Sequence, residues 1–364
     1  MANQLLPQGR ITSVDALRGF TMLWLTSAAE VIRHLPDISG LKFLRVLADQ
    51  FEHVPWNGMH IYDLIFPMFM FIIGVTLPFS YKKRLDKGSK TELYKHIITR
   101  SIVLFALGLI TFGYNDPGFE AWGYYAVLQY LAFTYFVSSI IMLNTSVRGV
   151  CYWFAGIFLF YFLMMKFYPV PGFGGGIFEK GKNFNDYIAG LVVSNIGIKW
   201  KYLLSPFMLS GITTSLLGIL AGYWLFSEYT QLKKFKYLLL AGVILICSGL
   251  LLSFIFPVIK DVWSSSYVLL SGGISSVMLA LFYWFIDIKN YKKWAFIFVV
   301  IGLNSITIYT LTFIVNFDNI SLILVYGIRE NLGVVLNLVI STISAVLQWL
   351  FMYYLYKQKI FIKI

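Results

Sequence analysis

The sequence predicts an all-α fold: a polytopic transmembrane helix bundle of about ten spans, each near 20 residues long, with both termini cytoplasmic. Three observations predict it. Hydrophobic residues make up 59% of the 364 and charged residues 13%, about half of the roughly 25% that a soluble domain uses to keep its surface wet. Mean hydropathy is +0.74. The 24 Tyr, 33 Phe and 10 Trp suit rings packed at bilayer depth or anchored at its two interfaces. A lipid-facing surface needs no charge, so a membrane protein is the broad class that fits, organised as a single transmembrane domain over residues 1–364.

Apolar runs long enough to span fall near 15–32, 59–80, 97–113, 123–143 and 148–168 in the first half. The second half supplies 203–225, 237–257, 263–286, 294–315 and 333–356. Segment 40–52 sets Leu41, Phe43, Leu44, Leu47 and Phe51 against Lys42, Arg45, Asp49 and Glu52, the pattern of an interfacial helix. Parts of 184–202 read the same way. Segment 317–328 is too short to cross and reads as re-entrant. Cys151 and Cys247 lie in apolar runs and read as small buried hydrophobes, with no zinc-ligand spacing and no metal expected. The polar start, MANQLLPQGRITSVD, has no apolar core of a cleavable signal, so the first helix is expected to stay.

Loop charges orient the bundle. With the N-terminus in the cytoplasm, that side carries Arg10, the run Lys82 to Arg100, Arg148, and the basic groups of 233–236, 289–293 and 357–363. Those are 18 of the 29 Lys and Arg; ten lie opposite, in longer loops, and Arg18 sits inside the first span. The net charge of +12 then reflects inner-leaflet loops facing anionic membrane lipid, and no nucleic-acid partner is expected. The basic run 82–100 also suits an anionic cofactor such as a nucleotide-bearing thioester.

Ionisable groups at membrane depth are costly and mark function by default. Asp15 and Arg18, three apart on one helix face, either pair structurally or serve a ligand. Glu30 reads as having no such partner nearby. Residues 51–75 hold the densest signal. Pro55 and Gly58 discourage helix before about Asn57, so His53 sits on the loop entering the second span. Asn57, His60 and then Asp63 or Leu64 follow at helical spacing, which puts Asp63 about two turns deep, roughly 9 Å below Asn57. A histidine at the membrane mouth with a carboxylate beneath suits a general base, because imidazole titrates near neutrality. An interfacial histidine bonded to a neighbouring carbonyl accounts for the same residues. The glycine-rich 169–184 lacks the Lys-Ser/Thr of a phosphate loop and reads as a turn. Serines 264–266 start a helix as caps, and Asn304 and Ser305 lie inside a span, bridging helices or lining a cavity.

The order R-I-T-S-V-D-A-L-R-G-F (10–20), H-V-P-W-N-G (53–58) and D-L-I-F-P-M-F-M-F-I-I-G-V (63–75) resembles the heparan-α-glucosaminide N-acetyltransferase family and its bacterial relatives. V-P-G-F-G-G-G (170–176), L-L-G-I-L-A-G-Y (216–223), F-P-V-I-K-D-V-W-S-S-S-Y-V-L (256–269) and G-L-N-S-I-T-I-Y (302–309) continue the match in the same order. The resemblance implies an acyltransferase that takes acetyl-CoA from the cytoplasm and acetylates the amine of a terminal glucosamine, or another amino sugar or amino-glycan, on the opposite side. It places the family's active histidine at His53, which either carries the acetyl group or deprotonates the amine. Asn57 and Asp63 join His53 as catalytic candidates, and so does Glu30: the family has an Asn near the end of the span containing R-G, where this sequence reads SAAE with Glu30 nearest. Donor- or acceptor-binding candidates are Arg18, Asp15, Trp56, Ser265 and Asn304. The human lysosomal members carry a luminal domain and an extra first helix that are not found here, which points to a bacterial inner membrane. A homodimer is carried as a partner expectation. The competing class is a transporter or flippase for a sugar or glycan, using the same charges for coupling; no inverted repeat is detected between the halves. A non-catalytic scaffold is a third class.

Overall fold

The computed structural model describes residues 11–115, 127–196 and 205–362. Arg10, Lys199, Lys201, Lys363, the first residues of the 123–143 and 203–225 spans, and 197–202 of the second interfacial segment lie outside the described residues. The described elements are helical. The helix α1 (Thr12–Leu23) runs through a π turn (Trp24–Ala28) into α2 (Ala29–Arg33), and α3 is Lys42–Asp49. Then come α4 (Ile65–Leu85), α5 (Lys90–Asn115), α6 (Val127–Asn144), α7 (Val147–Phe167), α8 (Phe184–Ile196), α9 (Phe207–Leu225) and α10 (Gln231–Leu252). The last are α11 (Ser265–Phe282), α12 (Phe296–Gly302), α13 (Ser305–Ile314), α14 (Phe317–Val325), α15 (Arg329–Leu332) and α16 (Leu336–Lys357). Among the described residues the only strand-like pairings are two isolated bridges, Asn57 with Ile259 and Val170 with Gly174.

Eight helical stretches among the described residues are long and apolar enough to cross a membrane, and the pair α12 and α13, bent by 73°, makes up to nine. The continuous helix from Thr12 to Arg33 is absent from that set; Asp15, Arg18, Glu30 and Arg33 reduce its hydropathy. Its path still coincides with the first expected span. The last of the eight, Phe317–Lys357, is no single rod: α14 folds back to pack on α16. The expected re-entrant segment is thus a short helix lying along a long one.

The chain divides into two compact units. The first takes residues up to Pro55, Met59–Phe69 and Leu281 onward. In it α1 packs along α12 with backbones nearly touching. A Cβ on Gly19 would sit 1.7 Å from the Phe298 carbonyl oxygen, and one on Gly302 would sit 1.9 Å from that of Asp15. Where lipid removes the hydrophobic drive between helices, such close approach supplies the dispersion contact instead. Phe20 fills the margin with edge-on contacts to Phe282 and Phe298 at 5.5 Å each. Asp287 accepts hydrogen bonds from the N–H groups of Thr12 at 3.2 Å and Ser13 at 3.0 Å. It satisfies two orphan donors and meets the positive end of α1 with a negative charge.

The second unit takes Trp56–Gly58 and Met70–Ala280. Here α9 is an inner helix, mostly buried, and α7 and α10 are outer ones, mostly exposed. Gly218 and Gly222 seat α9 on α4: a Cβ on either would come within 2.4 Å of a backbone oxygen, that of Phe71 or Val75. Cys151 and Cys247 are exposed, contrary to the buried reading, because they fall on the outward faces of α7 and α10. An apolar run marks membrane depth and not protein interior.

Candidate active site

The loop from Gln50 to Leu64 opens with the end of α3 and closes where the Tyr62 N–H donates to the Gln50 carbonyl at 3.1 Å. Asp63 is its hub. Its side chain is 1% exposed; Oδ1 accepts from His53 Nδ1 at 2.7 Å, and Oδ2 accepts from the N–H groups of Val54 at 3.3 Å and His60 at 3.1 Å. The buried carboxylate therefore meets the imidazole and two peptide donors, which is how a buried charge becomes tolerable. The His53 side chain stays 56% exposed. A carboxylate on Nδ1 makes that nitrogen the donor and sets the ring tautomer.

Asp63 does not lie two turns into a helix, as the helical spacing suggested. Regular helix begins at Ile65 after a single 3₁₀ turn over Tyr62–Leu64. Gly58 holds φ at 117°, Asn57 bridges to Ile259, and the Gly58 N–H donates to the Val258 carbonyl at 2.8 Å. Residues 57–61 are thus drawn out of helical conformation, and the carboxylate reaches His53 across a turn.

Glu30 has a neighbour after all. Arg33 is three residues on and donates from Nη1 to Glu30 Oε2 at 2.7 Å, while His34 Nε2 stands 3.3 Å from Glu30 Oε1. This pair was visible as an i, i+3 spacing and the sequence reading passed over it. Asp15 and Arg18 pair with each other at 3.2 Å. In the second unit, Trp56 is committed to the glycine-rich turn through a 2.8 Å bond from Nε1 to the Phe178 carbonyl. Asn57 is exposed. Ser265 is fully buried, with a hydroxyl that has no hydrogen-bond partner. Asn304 sits at the bend between α12 and α13 and ties down the chain near its end: Nδ2 donates to the Ile360 carbonyl and Oδ1 accepts from the Ile362 N–H, each at 2.9 Å.

Two residues of the loop's surroundings were missed. The Tyr62 ring lies 4.8 Å from the His53 ring. Arg33 reaches the same ring with its Cζ 4.7 Å from the centroid.

This loop falls inside the stretch that matches a family model. Residues 10–191, half of the chain, match the model described as heparan-alpha-glucosaminide N-acetyltransferase, catalytic. Two relatives agree. The chain is 32% identical over 139 residues to the human heparan-alpha-glucosaminide N-acetyltransferase and 32% identical over 137 residues to that of the mouse. The matched segments cover 37% and 36% of this chain, and the chain spans only 19% of the length of either relative.

Proposed function

The chain belongs to the heparan-alpha-glucosaminide N-acetyltransferase catalytic family, and from that premise we propose that it is an integral membrane acetyltransferase passing the acetyl group of cytoplasmic acetyl-CoA to the amine of an extracytoplasmic amino sugar. The observation that carries the reading is the His53–Asp63 pair: an exposed imidazole held on a buried carboxylate within the family match. Asp63 keeps the Nδ1 proton, so Nε2 is the basic atom. As the sugar amine attacks the thioester carbonyl, Nε2 takes the proton that nitrogen must lose. The C–S bond breaks, and the thiolate of CoA leaves with a proton returned from the imidazolium. The same nitrogen can instead accept the acetyl group first and hand it on. Rapid quenching with labelled acetyl-CoA and no acceptor separates the two, because only the second route leaves label on His53.

For the donor, the cytoplasmic basic run is the natural seat of the phosphates. Arg100 supports this: its Nε is buried without a hydrogen-bond partner and its Cζ lies 4.6 Å from the Tyr135 ring, so the guanidinium has donors to offer. The run 82–84 completes that candidate set in the second unit, with Ser265 as a buried hydroxyl for the polar arm of the donor; Arg18, in the first unit, is a separate candidate for an anionic group of the donor. With the termini cytoplasmic, His53 opens on the side where a glycan arrives, and Asn57 and Trp56 are the groups to meet its hydroxyls and ring face. The test is direct. Purified protein with labelled acetyl-CoA should acetylate glucosamine or a short amino-glycan, and CoA should raise its melting temperature. His53→Ala with wild-type turnover sinks the assignment. Stabilisation by glycan alone, with no transfer, favours a transporter.

A further inference from the structure

Arg33 closes α2, and its guanidinium touches both ends of the loop that carries the dyad. Nε and Nη2 both donate to the Phe51 carbonyl, at 2.9 and 2.7 Å. Phe51 lies two residues before His53. On the other side Cζ lies 4.7 Å from the centroid of the Tyr62 ring, and Tyr62 both precedes Asp63 and presents its ring 4.8 Å from the imidazole. Glu30 Oε2 at 2.7 Å and Glu52 Oε1 at 3.1 Å hold the cation in place. We propose that Arg33 is a positioning residue for His53: it locks the entry to the loop through the Phe51 carbonyl and the exit through the Tyr62 ring, and so sets the angle at which the imidazole meets the acetyl group. This rests on the reading of His53 as the transfer residue.

The choice of side chain supports it. Two edge donors of a guanidinium fork onto one carbonyl, a third donor reaches Glu30, and the flat face remains for the tyrosine. An ammonium offers a point charge with no face to stack. Burial cannot substitute for these contacts, since an imidazole more than half exposed is oriented by discrete neighbours more than by close packing. Displacements near 1 Å at a reacting group can cost about 100-fold in rate even when the altered residue lies off the chemistry. Glu30 then has a different task from the catalytic one expected: as a counter-ion it acts through Arg33.

The experiment compares Arg33→Ala, Arg33→Lys and Tyr62→Leu with the wild-type protein and with His53→Ala, all as purified full chains checked for monodispersity. The expected result is a tenfold or greater loss of kcat in all three positioning variants, with the KM for acetyl-CoA unchanged within twofold. Free guanidinium should restore part of the turnover of Arg33→Ala and none of that of His53→Ala. The rate at which diethyl pyrocarbonate modifies His53, followed by peptide mass, should also change in Arg33→Ala, a readout independent of turnover. Wild-type kcat in Arg33→Lys overturns the proposal. So does a loss in Arg33→Ala that guanidinium leaves untouched and that tracks the folded fraction. Wild-type turnover in His53→Ala instead removes the transfer reading itself, whereas an inactive His53→Ala beside fully active arginine variants removes only the role of Arg33.

Discussion

Two turns in this molecule feed the chain into an apolar helix, and they are built from opposite materials. The turn before α4 is tied by a carboxylate, an imidazole and a guanidinium. The turn before α11 is tied by hydroxyls and backbone. There Ser264 Oγ accepts from the N–H groups of Ile259 at 3.0 Å and Tyr267 at 3.3 Å, and Ser266 Oγ donates to the Pro257 carbonyl at 3.0 Å. Ser210 Oγ donates to the Trp263 carbonyl at 2.6 Å, and the Tyr161 hydroxyl donates to that of Val262. Trp263 holds φ at 50°, a left-handed conformation that costs a bulky side chain of order 1–3 kcal/mol, and its Nε1 donates to Thr214 Oγ1 at 3.0 Å. Ser264, Ser265 and Ser266 are wholly buried. Both turns meet the same demand, partners for peptide N–H groups left unpaired as the chain enters a helix: those of Val54 and His60 before α4, those of Ile259 and Tyr267 before α11. Inside protein, neutral hydroxyls meet it without the several kcal/mol that desolvating each ion requires. Charge appears where one member stays exposed, and that exposed member is the one able to exchange a proton with a ligand.

The largest effect expected from breaking this contrast is at Asp63. Asp63→Asn should leave a folded protein whose turnover falls about 10²- to 10⁴-fold, because the amide no longer holds the Nδ1 proton or balances the imidazolium. A loss under fivefold would put the charged turn on the same footing as the neutral one. Next comes Trp263→Ala, which empties an indole site that is 2% exposed and should cost about 3–5 kcal/mol of unfolding free energy, read by denaturant titration in detergent. Ser264→Ala strands two buried N–H donors and should cost about 1–3 kcal/mol. Ser265→Ala removes a buried hydroxyl that makes no bond and should leave stability unchanged or raised by up to about 1 kcal/mol. The serine pair sharpens the comparison further: if Ser265→Ala raises the KM for acetyl-CoA tenfold at unchanged stability, the neutral turn also belongs to the ligand.

Hydropathy made eight of the ten expected spans legible, since each needs only a local run of apolar residues; the first, Thr12–Arg33, carries too many charges to qualify, and no local pattern announced the 73° bend that breaks the one near 294–315. His53 and Asp63 were legible too, as two ionisable groups among many apolar ones, although Gly58 and the Asn57 bridge altered the path between them. The Asp15–Arg18 pair followed from spacing alone. Arg33 was not recognised: its pairing with Glu30 is local, but its decisive contacts reach Phe51 and Tyr62, and no local pattern announces a carbonyl as a partner. Asn304 is similar. An asparagine within a span signals a polar need, yet its partner is the peptide of Ile360, 56 residues on. The cysteines show the reverse limit, because composition does not say which face of an apolar helix meets lipid.

The seam between α1 and α12 also bears on how the protein is made. Gly19 and Phe298, which meet in that seam, are 279 residues apart (298 − 19), so at about 5–20 residues per second α1 waits on the order of tens of seconds for its partner to leave the ribosome. During that interval the helix enters the bilayer with its seam unfilled. The Asp15–Arg18 contact is three residues long and forms without any help from the rest of the chain. It gives the nascent helix mutual neutralisation of its two charges from the moment of insertion, long before a permanent neighbour arrives.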